Sequence, residues 1–211
     1  MVVVCGVDEA GRGPVIGPLV MCGAVVAEQD FDKLSAIGVK DSKKLTPKQR
    51  ESLFEKIKEI VVDYDIIIVD AAEIDETLNS ADLNLNKLEA IKTAMILNNL
   101  QPDKAIVDSP SNNKEAYHAY LGQFLKQPIH IQLEHDAERF APVAAASILA
   151  KVTRDRIIEE LKKEYGDFGS GYPSDPKTKK FLEENFESKK ELFRTSWASY
   201  KKISQKSLAD F

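Results

Sequence analysis

The chain has 211 residues, of which 43% are hydrophobic and 30% charged, and its net charge is −5. This composition is typical of a one-domain globular protein and excludes a disordered chain, and no apolar run approaches the roughly 20 residues that a membrane-spanning helix needs. Cys5 and Cys22 are too few for a disulfide framework and the N-terminus has no signal-peptide pattern, so we expect a cytoplasmic protein without a membrane partner.

The charge is distributed unevenly along the chain. Residues 1–150 carry 15 Lys and Arg against 23 Asp and Glu, whereas residues 151–211 carry 14 against 11. A mildly basic C-terminal part is compatible with a phosphate-binding face, although charge alone does not favour nucleic acid as the partner.

Apolar runs and capping signals predict alternating strands and helices. The short connection between the first two strands favours an antiparallel pair, and Thr46, Pro47 and Gln49 form a capping box that begins the first helix. This order predicts an α/β domain with a mixed sheet and a helical tail. The predicted elements are strands at 2–8, 19–27, 64–69, 105–108 and 129–133, and helices from 47 and at 83–100, 141–165, 176–185 and 197–207.

Carboxylates stand at the ends of the predicted strands. Asp8 and Glu9 end the first strand, Asp108 ends the fourth, and Asp136 follows the last strand by three residues. Strand ends in open α/β sheets are common places for sites, and clustered carboxylates repel one another unless a cation compensates their charge. Hard oxygen ligands suit Mg²⁺ or Mn²⁺, and two such ions can support phosphodiester cleavage.

Several of these features also have ordinary structural interpretations. Adjacent residues on a regular strand point to opposite faces, so Asp8 and Glu9 can share a metal ion only if the strand ends or bends between them. Asp108 begins a plausible Asp-Ser-Pro turn. The glycines of residues 11–17 lack the spacing of a dinucleotide loop, and His135 has no second zinc ligand at a suitable spacing.

Five motifs in order resemble a known family. They are DEAGRGP at 8–14, DSKKL at 41–45, DSP at 108–110, AASILAKVTRD at 145–155 and GSGYPSDP at 169–176. Together they resemble ribonuclease HII, the type 2 ribonuclease H, of the archaeal kind, from residue 2 to about residue 200.

The resemblance implies a fold and an activity. The fold would be ribonuclease H-like, a mixed five-stranded sheet flanked by helices, with a catalytic domain at 1–168 and a C-terminal helical extension at 169–211. The enzyme would be a metal-dependent endoribonuclease that cleaves the RNA strand of RNA–DNA hybrids. It would also incise duplex DNA 5′ of a single ribonucleotide, leaving 3′-hydroxyl and 5′-phosphate ends.

The resemblance also assigns roles to residues by motif position. The loop Gly11-Arg12-Gly13 would read the 2′-hydroxyl at the RNA–DNA junction, and Tyr172 would pack on the sugar that follows the ribonucleotide. The metal-binding and catalytic carboxylates would be Asp8, Glu9, Asp108 and Asp136, with Mg²⁺ or Mn²⁺ as cofactor, and the phosphate-contacting residues would be Lys43, Ser147 and Lys151.

The C-terminal tail, residues 205–211, resembles a motif that docks replication proteins on the sliding clamp. Gln205, Leu208 and Phe211 carry the resemblance, although the usual second aromatic residue is absent. A frayed terminus is the structural alternative. We expect a monomer with RNA–DNA hybrids and ribonucleotide-containing DNA as partners. Two alternatives are a ribonuclease H-fold binding module without activity and a DNA nuclease without ribonucleotide specificity.

Overall fold

The structure is a computed structural model that describes residues 1–40 and 42–209, without the side chains of residues 206–209. In that part of the chain, no helix combines the length and the apolar character needed to cross a membrane.

Five strands form one mixed sheet in the described part of the chain, with the bounds Val3–Ala10 (β1), Leu19–Ala27 (β2), Asp63–Val69 (β3), Lys104–Asp108 (β4) and His130–Glu134 (β5). The strand β1 pairs antiparallel with β2 and parallel with β4, which in turn pairs parallel with β5. The order across the sheet is β3-β2-β1-β4-β5. This arrangement puts β1 in the centre and confirms the predicted antiparallel pair and the mixed five-stranded sheet.

The helices include every one that the sequence predicts and three shorter ones that it does not. The helix from Pro47 has the predicted capping box, in which Thr46 and Gln49 exchange hydrogen bonds. The three additional helices have six to nine residues, too few for their apolar period to be recognised. The bounds are Phe31–Ala36 (α1), Pro47–Ile60 (α2), Ala71–Asn79 (α3), Leu85–Leu100 (α4), Lys114–Gly122 (α5), Ala141–Tyr165 (α6), Pro176–Asn185 (α7) and Ala198–Ala209 (α8).

The chain divides into two compact units, each made of several segments. The first consists of Met1–Ala10, Val20–Ile68 and Asn86–Thr153, and it contains most of the sheet. The second consists of Gly11–Leu19, Val69–Leu85 and the described residues from Arg154 onward. The boundary predicted between residues 168 and 169 stays a prediction.

Each unit has its own apolar cluster. In the first, Val4 of β1 and Ile106 of β4 pack with Ala137 and Val143, which follow β5. In the second, the loop before β2 packs with α6, α7 and α8. The buried members of that cluster are Val15, Ile16, Ile158, Phe168, Leu182, Leu192, Phe193 and Tyr200.

Candidate active site and recognition loop

Asp8 lies in the centre of the sheet, on a strand that packs closely against the start of α6. A Cβ atom on Gly6 would come within 2.1 Å of the Pro142 carbonyl carbon, so glycine is required for this approach. The first turns of α6 are rich in alanine and fully buried, and they bring Ser147 within hydrogen-bonding distance of Asp8. A glycine in β1 and small residues in α6 therefore set the position of the first predicted ligand.

The Asp8 carboxyl group lies in an unfavourable environment for a negative charge. Its burial raises its pKa to about 7, and although a hydrogen bond with Ser147 opposes this rise, the carboxylates of Asp108 and Glu138 add to it. The Ser147 hydroxyl also lies 2.9 Å from that of buried Ser42, so a small polar network supports the carboxyl group. A bound divalent cation would supply the positive charge that compensates these acids.

Glu9 follows Asp8 without the strand break that we expected. The ladder between β1 and β2 continues through Asp8↔Cys22, Glu9↔Met21 and Ala10↔Val20, so β1 neither ends nor loses its pairing between the two acids. Asp8 is buried and Glu9 is half-buried, as expected for neighbours on opposite faces of a strand. The expectation that β1 ends at Asp8 was wrong, and the role of Glu9 as a metal ligand stays a prediction.

Asp108 lies at the end of β4, where it approaches the segment that follows β5. Its Oδ1 accepts a hydrogen bond of 3.0 Å from the backbone N–H of Ala137. Burial raises its pKa, and the nearby carboxylates of Glu138 and Asp136 add to the rise, while Lys43 opposes it. Asp136 itself is exposed and has a left-handed backbone with φ of 52°.

The predicted acids interact electrostatically, but they are not gathered at one point. Among residues 1–40 and 42–209, no group of three or more His, Cys, Asp or Glu side chains is arranged to hold a metal ion. The donors nevertheless fit a hard divalent cation, since burial raises the pKa of both Asp8 and Asp108 and the charge of Asp108 adds to the rise at Asp8.

The three predicted phosphate-contacting residues belong to the same unit as these acids. Lys43 is exposed, and its Nζ lies 3.1 Å from Oε1 of buried Glu138. Ser147 is buried against Ser42 and Asp8, which suits a residue that supports the carboxyl group. Lys151 is half-buried one turn further along α6. Their contacts with phosphate stay predictions.

In the second unit, the predicted recognition loop Gly11-Arg12-Gly13 and the residues up to Gly17 are held by a buried arginine. Arg194 is fully buried, and its guanidinium donates hydrogen bonds to the carbonyls of Gly11 at 2.6 Å, Arg12 at 2.9 Å and Gly17 at 2.8 and 3.0 Å. The indole Nε1 of Trp197 donates to the Gly13 carbonyl at 3.1 Å. Arg194 also lies over the Trp197 ring, 4.9 Å from its centroid.

These hydrogen bonds fix the direction of the loop's amide groups. In a planar trans peptide, the C=O and N–H groups point in opposite directions. Because Arg194 binds the carbonyls of Gly11 and Arg12, the N–H groups of Arg12 and Gly13 point away from it. The loop therefore presents two amide donors on one side while its other side is anchored.

Tyr172 lies beside the same loop. Tyr172 is 41% exposed, and a Cβ atom on Gly13 would come within 3.4 Å of the Tyr172 ring. The carbonyl of Gly171 accepts hydrogen bonds from the N–H groups of Val15 and Ile16, which ties the two segments together. The structure thus brings Gly13 and Tyr172 together, and their role in recognition stays a prediction.

Asp75 of α3 anchors the segment that carries Arg194. Its carboxylate accepts hydrogen bonds from the backbone N–H and the hydroxyl of both Thr195 and Ser196. Partial burial alone would raise the pKa of Asp75, but these four hydrogen bonds outweigh it and hold the pKa below its usual value.

We expect Asp75→Asn to lower the thermal unfolding midpoint at pH 7 by about 2–4 °C, because an amide has one acceptor oxygen in place of two. The ionised carboxylate stabilises the fold at pH values above the pKa of Asp75 in the unfolded chain. This contribution is lost as the pH falls through the lower pKa that Asp75 has in the folded protein. Unfolding followed by circular dichroism at pH 7 and pH 3 measures the difference, which should shrink at pH 3. Glu76→Gln, at an exposed neighbouring position, is the control; a difference that is the same at both pH values would contradict the proposed contribution.

Comparison with known proteins identifies the family. The model of the family described as Ribonuclease HII matches residues 5–200. The chain belongs to the ribonuclease HII family. Ribonuclease HII of Pyrococcus horikoshii is 47% identical over 209 residues, covering 96% of this chain and 93% of that protein. Ribonuclease HII enzymes are metal-dependent endoribonucleases of the ribonuclease H type, so this chain is an enzyme of that type.

Solved structures confirm the ribonuclease H-like fold. The crystal structure of ribonuclease H2 from Pyrococcus horikoshii OT3 has a TM-score of 0.88 at 46% identity, covering 97% of this chain and 98% of that one. The structure of the PCNA:RNase HII complex from Archaeoglobus fulgidus has a TM-score of 0.84 at 41% identity, covering 99% and 100%.

Sequence reasoning missed several residues that contact the predicted acids or the loop of residues 11–17. Arg194, Asp75 and Ser42 act through contacts with residues more than 100 positions away, which no local pattern shows. Glu138 lies two residues beyond Asp136, with Ala137 between them. The local sequence does not distinguish which of these two acids lies near Asp8 and Asp108.

Proposed function

We propose that this ribonuclease HII hydrolyses the RNA strand of RNA–DNA hybrids and incises duplex DNA 5′ of single embedded ribonucleotides. The products would carry 3′-hydroxyl and 5′-phosphate ends, and the enzyme would act in removing ribonucleotides and RNA primers. Family membership supports the ribonuclease H chemistry. The observation that supports specificity for the ribonucleotide is the anchored loop whose amides face away from Arg194, beside exposed Tyr172.

The proposed metal-binding residues are Asp8, Glu9, Asp108 and, by motif position, Asp136, with Mg²⁺ or Mn²⁺ as the ion. Two bound divalent ions would supply an activated water and stabilise the leaving oxygen in phosphodiester hydrolysis. The protein's own part is to hold the carboxylates: Ser147 binds Asp8, and the Ala137 N–H binds Asp108. Lys43 and Lys151 would contact substrate phosphates in the same unit.

In the second unit, we propose that the Gly11-Arg12-Gly13 loop reads the 2′-hydroxyl at the junction. A hydroxyl accepts hydrogen bonds from backbone amides, and it is the group that distinguishes RNA from DNA locally. The ring of Tyr172 provides a surface for the neighbouring sugar. The presence or absence of one oxygen atom in the substrate would therefore decide cleavage.

The test is cleavage of a labelled DNA duplex that contains one ribonucleotide, with Mg²⁺, with Mn²⁺ and with chelator, and with products mapped to the nucleotide. We expect metal-dependent incision on the 5′ side of the ribonucleotide. The all-DNA duplex of the same sequence is the control, and its cleavage at a similar rate would indicate a DNA nuclease without ribonucleotide specificity. Failure to incise with either metal, from folded protein, would contradict the proposal.

Arg12→Ala should reduce the rate on the single-ribonucleotide duplex by about 10- to 100-fold, as expected for a charge-assisted hydrogen bond worth about 1.5–3 kcal/mol. The unfolding midpoint should change little, because Arg194 binds the Arg12 carbonyl, which the substitution retains. Initial rates and thermal unfolding measure the two effects, and Arg12→Lys tests whether charge alone suffices. A large fall in the midpoint with no specific loss of junction cleavage would show that the Arg12 side chain is structural.

We also propose that the tail, residues 205–211, binds the sliding clamp, since a related ribonuclease HII has been solved in a complex with PCNA. Gln205 is an exposed residue of α8. The Leu208 side chain and Phe211 lie outside the described part of the structure.

Deleting residues 205–211 should leave cleavage of a short duplex unchanged and abolish binding to the clamp. Surface plasmon resonance with immobilised clamp measures the binding, and the substitution of Leu208 and Phe211 by alanine in the full chain should reproduce the loss. Equal clamp affinity of the deleted and full chains would refute the role of the tail.

A further inference from the structure

Thr178 of α7 is a buried threonine whose hydroxyl is used outside its own helix. A threonine within a helix commonly donates its hydroxyl to a carbonyl three or four residues earlier. Thr77 of α3 does so, since its hydroxyl donates to the carbonyl four residues before it at 2.9 Å. The Thr178 hydroxyl instead donates to the Phe168 carbonyl at 2.8 Å and accepts the N–H of Gly171 at 3.0 Å. It therefore joins α7 to the loop that carries Tyr172.

Both hydrogen bonds of Thr178 lie inside the protein. Thr178 and Phe168 are fully buried, and Gly171 is buried as well. A hydroxyl can donate one hydrogen bond while it accepts another, so one threonine binds both backbone groups. Valine has nearly the same shape but neither donates nor accepts, and it would remove both hydrogen bonds. The hydroxyl of Thr178 thus does something for this loop that shape alone does not replace.

Gly171 is held at both of its backbone polar groups. Its N–H is bound by Thr178, and its carbonyl accepts from the N–H groups of Val15 at 2.8 Å and Ile16 at 3.3 Å. Its φ of 80° lies in the left-handed region, and a Cβ atom there would come within 3.0 Å of the Ile16 carbonyl oxygen. The backbone directly before Tyr172 is therefore fixed, and Thr178 supplies one of the contacts that fix it.

Asp175 fixes the backbone on the other side of Tyr172. Its N–H donates to the Tyr172 carbonyl at 3.0 Å, which closes a tight turn over residues 172–175. Its carboxylate accepts the N–H groups of Ser170 at 2.7 Å and of Lys177 at 2.9 Å, the second of which caps α7. The start of α7 thus holds the residues on both sides of Tyr172.

We propose that Thr178 is a positioning residue for cleavage at the ribonucleotide, because it holds the ring of Tyr172 beside Gly13. Thr178 is 0% exposed, so it cannot touch nucleic acid and acts only through the place of Tyr172. A Cβ atom on Gly13 would lie 3.4 Å from that ring, so a small displacement of Tyr172 changes the surface offered to a sugar. The inference rests on the proposed function, because the place of this ring affects cleavage only if Tyr172 contacts the substrate.

The test is a double-mutant cycle with a conservative rescue, measured as kcat/KM of the full chain on the single-ribonucleotide duplex. Thr178→Val should lower kcat/KM by about tenfold, because the contacting ring is displaced. Thr178→Ser keeps the hydroxyl and should retain most of the wild-type rate. In a Tyr172→Ala background, Thr178→Val should cause no further loss, because the group that Thr178 positions is gone.

Thr77→Val is the matched control, because it also removes the hydroxyl of a buried threonine in the second unit, where that hydroxyl bonds within α3. It should leave kcat/KM unchanged. Asp175→Asn is the second variant, for the case that Thr178→Val does not fold. The amide oxygen can still cap α7, but the amide nitrogen cannot accept the Ser170 N–H. We expect a loss of kcat/KM that again disappears in the Tyr172→Ala background.

The place of the ring can also be measured without substrate, by nuclear magnetic resonance. Nuclear Overhauser contacts between the Tyr172 ring and the Hα protons of Gly13 should weaken in Thr178→Val and remain in Thr178→Ser and Thr77→Val. Unchanged contacts in Thr178→Val, an unchanged kcat/KM, or an equal loss in the Tyr172→Ala background would overturn the inference. If Tyr172→Ala cleaves as fast as wild type, the proposed role of Tyr172 fails, and the Overhauser contacts alone decide whether Thr178 places its ring.

Discussion

Asp8→Asn should reduce cleavage of the ribonucleotide-containing duplex by on the order of 10²-fold or more while the protein stays folded. Asp8 is the central acid of the sheet, and its neighbours hold it by contacts that a neutral amide can largely retain. The substitution removes the charge of a proposed metal ligand, so the effect should appear in turnover and in Mn²⁺ binding together. Initial rates at saturating metal are the measurement.

The same substitution should leave the metal-free protein at least as stable as wild type at pH 8. The Asp8 pKa is raised from 3.8 to about 7, so the folded state holds its proton more tightly than the unfolded state does. Ionisation therefore costs stability, with no cost below pH 3.8 and the full cost above pH 7. Asp32→Asn, at an exposed position in α1, is the control for both measurements. Unchanged turnover in Asp8→Asn would exclude Asp8 from the metal site.

Arg194→Lys should lower the free energy of unfolding by about 3 kcal/mol, because one ammonium group cannot replace a guanidinium that donates to three carbonyls. Cleavage at the ribonucleotide should fall as well, since the amides of the recognition loop lose their fixed direction. Urea unfolding and initial rates on both the ribonucleotide-containing and the all-hybrid substrates measure the two effects.

Arg156→Lys is the matched control for Arg194→Lys, because Arg156 is an exposed residue of α6 and its replacement should change stability by less than about 0.5 kcal/mol. If Arg194→Lys unfolded at the same urea concentration as wild type, the loop carbonyls would have found other donors. The loop would then owe its shape to Trp197 and to the backbone hydrogen bonds with Gly171.

The sequence was sufficient for most of the fold. The strand Leu19–Ala27 and the helices Ala141–Tyr165 and Pro176–Asn185 have the predicted bounds, because each has a long apolar pattern or a proline at its start. The sequence failed at α1, α3 and α5, which are too short for a clear period. It also placed the end of β1 too early, since acids at 8 and 9 look like a boundary although their backbone continues in the ladder.

The site was predictable only in part, for a physical reason. Acids at strand ends can be read from local order, so Asp8 and Asp108 could be proposed from the sequence. A buried acid in a 3₁₀ turn and a buried arginine far along the chain depend on tertiary packing, and no local pattern distinguishes Glu138 from Asp136 or marks Arg194 as an anchor. The family motifs predicted the role of the loop in recognition, but they could not show what holds it.

The dependence of the loop on Arg194 has a consequence for the protein's synthesis. The ribosome makes Arg194 183 residues after Gly11, so at about 5–20 residues per second the nascent loop waits roughly 10–40 s for its anchor. During that time the residues of β1 have been made, whereas the segment proposed to read ribose lacks its anchor. An enzyme made beside abundant RNA would thus acquire the proposed discrimination of ribose among the last steps of its production.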